Sequence, residues 1–232
     1  MDKILLEICA GSLTSALAAE EGGADRVELC SALPLEGLTP GPGTIKEAKR
    51  ILSIPVYVLI RPREGDFVYS SQELRVICAD IEAAADLGAD GIVCGALDGG
   101  GNIDIRAMEQ MMKASQGLPF TFHRAFDRCN NPVLSIHLLI EMGVNTLLTS
   151  GQAETATEGW ALIKEMIAIA QPFGLTVMPG SGITSGNIAE LAARTGADAV
   201  HLSAKTKRKG YDQTDAEVVR NCRKALNSII KP

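Results

Sequence analysis

Short apolar runs alternate with amphipathic stretches eight times along this 232-residue chain, and few architectures accommodate that rhythm. The strand-like runs are Ile4–Cys9, Arg26–Cys30, Val56–Ile60, Gly91–Cys94, Phe120–His123, Thr146–Thr149, Leu175–Met178 and Ala199–Ser203. Helical patterns lie near 13–22, 43–52, 71–87, 104–116, 132–142, 156–171, 184–195 and 214–228. The repeat averages about 29 residues, close to the length of a βαβ unit. Gly23-Ala-Asp, Gly88-Ala-Asp, Gly143-Val-Asn and Gly196-Ala-Asp each stand between a helix and the next strand, where a left-handed glycine ends the helix. Ser70 with Glu73, Thr155 with Glu158 and Thr214 with Glu217 read as capping boxes at helix starts. Four similar joints and no linker indicate one domain over residues 1–232: an α/β fold, a (β/α)8 TIM-type barrel. An open doubly wound sheet is the competing architecture. The loop after the first strand, Ala10-Gly-Ser, lacks the G-x-G-x-x-G of its dinucleotide-binding form.

A net charge of −6 argues against a nucleic-acid or anionic-membrane partner, and 4% aromatic residues argue against base-stacking platforms. The opening apolar run is short and broken by Glu7, unlike a secretory leader, and no window reaches the ~18 apolar residues of a membrane span. The expectation is a cytoplasmic protein with reduced thiols. Its six cysteines (9, 30, 78, 94, 129 and 222) contain no C-x-x-C, which disfavours structural zinc.

In a barrel, function collects at the C-terminal strand ends. The first strand ends Glu7-Ile-Cys9 and the second Glu28-Leu-Cys30, and alternation puts each Glu on the face of the Cys two residues on. Facing inward, they bring two carboxylates and two thiols to one opening; facing outward, the cysteines are small core residues. The third strand exits into Arg61-Pro-Arg63, a stiff cationic arm suited to a carboxylate or phosphate, or a loop in which Arg63 pairs with Asp66. The fourth exit, Cys94-Gly95, leads to a Gly-rich stretch that reads as a loop. The fifth offers His123, Arg124 and Asp127, with the imidazole suited to acid–base work. Thr149-Ser150-Gly151 can line a polar mouth, and Gly180-Ser181-Gly182 can hold an anion by converging N–H groups. His201 and Ser203 share a face on the eighth strand. Cys78 and Cys222 read as helix packing, Cys129 as a surface thiol in a loop and His137 as solvated. Trp160 reads as packing on the barrel or a partner subunit.

Several of these stretches resemble the CutC copper-homeostasis family. They are Arg26-Val-Glu-Leu-Cys-Ser-Ala-Leu33 with Gly37-Leu-Thr-Pro40, Ile60-Arg-Pro-Arg63 with Gly65-Asp-Phe-Val-Tyr69, Thr121-Phe-His-Arg-Ala-Phe-Asp127, and Leu148-Thr-Ser-Gly151. The resemblance runs from Glu7 to Ser203. It implies a TIM-type barrel, a cytoplasmic location, a homodimer or homotetramer, and an association with copper(I), with Cys30 at a position proposed for the metal. Glu64 departs from the glycine the family often carries there. Cys9, on the neighbouring strand, is our candidate for a second thiol.

Three functions fit these residues. The family reading is a Cu(I)-binding protein with Cys9 and Cys30 as metal ligands and the two glutamates behind them. The alternative is a barrel enzyme acting by general acid/base chemistry on a small anionic or phosphorylated substrate. There Glu7, Glu28, Arg61, His123, Arg124, Asp127 and His201 do the chemistry, and Gly180, Ser181, Gly182 and Ser203 hold the ligand. The third is a non-catalytic scaffold, which predicts mouth charges paired among themselves and no pocket.

Overall fold

The computed structural model describes residues 3–208 and 210–229. Eight parallel strands form one sheet: β1 Leu5–Ala10, β2 Arg26–Leu29, β3 Val56–Leu59, β4 Gly91–Cys94, β5 Phe120–Phe122, β6 Thr146–Thr149, β7 Thr176–Pro179 and β8 Ala199–Leu202. They run in the order β7-β6-β5-β4-β3-β2-β1-β8, and a parallel bridge from Gly180 to His201 joins the two ends. The sheet is thus a nearly closed barrel. Each strand leads to a helix: α1 Leu13–Glu21, α2 Pro42–Ile51, α3 Ser71–Asp86, α4 Ile105–Ala114, α5 Pro132–Glu141, α6 Trp160–Ala170, α7 Ile188–Thr195 and α8 Ala216–Asn227. Among the described residues no helix is long and apolar enough to cross a membrane.

Period-two alternation separates two cores. Leu6, Ile8, Val27, Leu29, Val58 and Ile92 point outward into the large cluster shared with the helices. The other face carries smaller clusters inside the barrel: Cys9, Cys30, Tyr57, Leu59 and Val93 in one, and Leu148, Met178 and Ala199 in another. Glu7 and Cys9, two apart on β1, therefore face inward together.

The glycine joints behave as expected. Gly23, Gly88, Gly143 and Gly196 all have φ between +77° and +93°, the left-handed turn that releases each helix into its next strand. Ser70 and Glu73 form the reciprocal cap of α3. The other two boxes depart from expectation. Thr155 and Glu158 exchange the expected bonds, but they close a separate turn, and α6 begins only at Trp160. Thr214 does not cap α8. It ends β10 (Tyr211–Thr214), which pairs with β9 (Lys205–Arg208) in a hairpin the periodicity did not reveal, and Asp215 takes the cap instead. Trp160 packs against the core with the Arg194 guanidinium 3.8 Å over its ring. Cys129 is no surface thiol: it is buried, with the Gln152 amide against its sulfur.

Candidate functional site at the barrel mouth

Strand register assembles the floor of the site. In the β1–β2 ladder Glu7 stands beside Arg26 and Cys9 beside Glu28; in the β1–β8 ladder Glu7 stands beside His201. All five are buried. Glu7 Oε2 accepts from Arg26 Nε at 2.5 Å, and Glu7 Oε1 lies 2.7 Å from His201 Nδ1. Burial alone would raise the Glu7 pKa, but the Arg26 charge, then His201, outweigh it and hold it below the usual carboxylate range. An ionised carboxylate only accepts, so His201 Nδ1 carries a proton. In the neutral ring that leaves the Nε2 lone pair free for a proton or a metal. Arg26 lies 4.1 Å over the Tyr57 ring, and Gly91 makes room for that ring, since a Cβ there would come within 2.6 Å of it.

One layer higher, toward the opening, Cys9 Sγ, a Glu28 oxygen and a His201 nitrogen all lie within 4.8 Å of one another. Cys30 Sγ sits 3.6 Å from Cys9 Sγ. The bond to Cys30, then burial, push the Cys9 thiol well above its ordinary pKa, and the Glu28 charge adds to this. Burial raises the Glu28 pKa. For His201 burial acts downward, but the Glu28 charge and the Glu7 bond outweigh it, and the net shift is upward.

Above this floor is a cavity of about 340 Å³. Cys9, Glu28, Arg61, His123, Arg124, Asp127, Ser181, Gly182, His201 and Ser203 all reach its wall. Cys30 lies behind Cys9, off the cavity. The arginine arm divides: Arg61 is buried against the loop carbonyls of Leu35, Gly37 and Gly65, while Arg63 turns outward to Asp66 and Glu73. Asp127 ties the fifth and sixth exits together, accepting from Arg124, from Thr149 and from the backbone and hydroxyl of Ser150. Gly180 gives its N–H to Thr149, so it belongs to the barrel seam, whereas Ser181 (φ +83°) and Gly182 (φ +68°) turn at the rim.

A sequence model of the CutC family matches residues 4–206. This chain belongs to the CutC family. It is 47% identical over 206 residues to a CutC family protein of Bacteroides thetaiotaomicron, covering 88% of this chain and 82% of that one. It is 45% identical over 204 residues to the human copper homeostasis protein cutC homolog, covering 88% of this chain and 74% of that one. The crystal structure of the putative copper homeostasis protein CutC from Streptococcus agalactiae superposes with a TM-score of 0.82 at 38% identity, over 86% of this chain and 98% of that one. The phosphoribosylanthranilate isomerase of Pyrococcus furiosus shares the barrel alone, with a TM-score of 0.62 at 15% identity, over 97% of this chain and 100% of that one.

In this CutC chain the sequence reading overlooked Arg26, the partner that keeps Glu7 charged. The signal was available, because Arg26, Glu28 and Cys30 are each two apart and so share a face. Phe67 was overlooked too. It lies between Arg61 (5.1 Å) and His123 (4.8 Å), and it comes from a loop whose path no local pattern encodes.

Proposed function

We propose that the barrel mouth binds Cu(I) through the thiols of Cys9 and Cys30, with His201 Nε2 as the third donor. The single observation that carries this is the 3.6 Å approach of two free sulfurs, with the Cys9 sulfur also within 4.8 Å of a nitrogen of the His201 imidazole that Glu7 orients. Two soft donors and a borderline one suit a soft monovalent ion better than zinc's usual four-ligand site. Glu28 then stands within reach of the site, one oxygen within 4.8 Å of the Cys9 sulfur, and Glu7 with Arg26 orients the histidine from behind. Membership of a family with members named for copper homeostasis supports the reading. So do the free cysteines, which fit a reducing, cytoplasmic compartment.

Both thiols must lose protons to bind, so the apparent affinity rises with pH and binding releases protons. The test is an anaerobic titration against a chromophoric Cu(I) chelator. We expect one tight site, weakened at least roughly 100-fold by Cys9→Ser or Cys30→Ser and about tenfold or more by His201→Asn. Cysteine variants that hold Cu(I) as tightly as the parent protein refute the assignment.

The cavity volume favours a second reading: acid–base chemistry on a small organic anion, with His201, oriented by Glu7, carrying the proton. It requires that such an anion bind here, and a metal-free protein that takes up none excludes it.

A further inference from the structure

The wall of the cavity away from the sulfurs carries groups that a bare ion does not use. Arg61 is 3% exposed, yet its guanidinium donates only to carbonyls: Leu35 at 2.9 Å, and Gly37 and Gly65 at 3.2 Å. Its Nε has no partner, and no carboxylate among the described residues forms an ion pair with it. A buried cation without a counter-charge is expensive, and a ligand anion removes that cost.

His123 shares Phe67 with Arg61. Its Nδ1 accepts the Ala125 N–H at 3.3 Å, and that edge of the ring lies over Gly95, where a Cβ would come within 2.9 Å. With Nδ1 accepting, the neutral ring carries its proton on Nε2, a buried donor with no partner. Burial, then the Arg61 charge, push the His123 pKa down to about 3, so the ring stays neutral at physiological pH.

Across the cavity Glu28 Oε2 is also buried and unpartnered. Among the described residues five buried side-chain atoms lack a partner, and three of them belong to residues lining this one cavity; Tyr69 and Thr121 are not among its lining residues. Buried polar groups are nearly always satisfied, and these three belong to the wall of one cavity, so a single molecule bound there can partner all of them. The rim cations differ from Arg61 in having acids of their own: Arg124 with Asp127, Arg128 with Glu36, and Lys205 with Asp212.

We propose that this wall is a binding subsite for a small hydroxylated organic anion. Its anionic oxygens accept from His123 Nε2–H and neutralise Arg61, and its hydroxyl group donates to Glu28. Hydroxy acids and sugar phosphates share this chemistry, and about 340 Å³ holds either. The subsite does not depend on the copper reading; it names the class of anion on which the acid–base reading rests, and an anion that binds without turning over sinks that reading alone.

The test uses the full chain, stripped of metal by a chelator, with L-malate, glycerol 3-phosphate and neutral glycerol as probes. Binding is read by calorimetry, and the His123 imidazole by 15N NMR. We expect one of the two anions to bind at concentrations up to roughly 10 mM and to shift the His123 Nε2 resonance, while glycerol does neither. Malate alone marks a carboxylate source and glycerol 3-phosphate alone a phosphate source. His123→Asn and Arg61→Gln should each weaken binding roughly tenfold or more, and Arg61→Lys should restore part of the loss. If the arginine variants do not fold, the His123 shift in the parent protein decides. No shift with either anion, or glycerol binding as well as the anions, overturns the proposal. No copper is present, so failure here leaves the Cu(I) titration standing, and the reverse holds.

Discussion

His123 and His201 are the same side chain under opposite fields. Both sit at strand exits, and both are buried. Burial lowers the pKa of both; at His201 the Glu28 and Glu7 carboxylates outweigh it and the net shift is upward, whereas at His123 burial, then the Arg61 and Arg124 guanidiniums, hold it down to about 3. The sequence placed both at the mouth but could not assign their charge, because charge depends on neighbours up to 194 residues away. The low value has a measurable consequence. The ordinary histidine pKa is 6.5, so between 6.5 and about 3 the unfolded chain binds a proton that the folded one refuses. Stability from this group is therefore complete above 6.5 and is lost as pH falls toward 3, by at most ~1.4 kcal/mol per pH unit. Urea unfolding of His123→Asn at pH 7, 6 and 5 should show a flatter pH dependence than the parent. An unchanged slope means that His123 titrates alike in the folded and unfolded chain.

At the scale of elements, the order of the eight barrel strands and their helices is legible, and the departures fall where tertiary contact overrides a local pattern or where the segment is polar. The capping signature at Thr155 pointed to a helix start, yet Gly159 delays α6 because the chain crosses itself there. A Cβ on Gly159 would stand 1.9 Å from the Ser150 carbonyl oxygen, and one on Gly151 would stand 2.3 Å from that of Gly159. Neither obstacle is a flexible side chain, so the backbone must move. Gly159→Ala should destabilise the protein by about 2 kcal/mol or more, visible as a lowered melting temperature. It should also disturb Ser150, which together with Thr149 holds Asp127 at the sixth strand exit. A variant that melts with the parent shows that the crossing is loose. The β9–β10 hairpin has no sequence signal, for a separate reason. Lys205 to Thr214 is polar and lies outside the eightfold rhythm, so no burial pattern announced it.

For the molecule as a whole, the first and last thirds of the chain must meet. At the mouth they meet in Glu7 and His201; at the opposite end they meet in Arg223 of α8. Arg223 donates to the carbonyls of Ile4 (2.9 Å) and Gly23 (3.1 Å) and pairs with Asp25, whose carboxylate also accepts from the Leu6 N–H. Removing the guanidinium leaves two carbonyls unpaired and leaves Asp25 only Lys3 and the Leu6 N–H as partners. Arg223→Met should cost on the order of 3 kcal/mol, read from the urea midpoint, with the unfolding slope unchanged if the barrel still opens as one unit. A loss within experimental error would mean that β1 and β8 hold the closure alone. The sequence by itself determined the repeat, the barrel, the family and the strand ends where chemistry gathers, because these depend on short-range periodicity and turn chemistry. It named Cys9, Glu28, His123 and His201 as mouth residues for the same reason. Only the tertiary structure decided that Arg26 secures Glu7, that Arg61 has no carboxylate partner among the described residues, and that two sulfurs 21 positions apart touch. Those outcomes turn on distances of a few ångströms between strands and loops remote in the chain, and no local pattern carries that information.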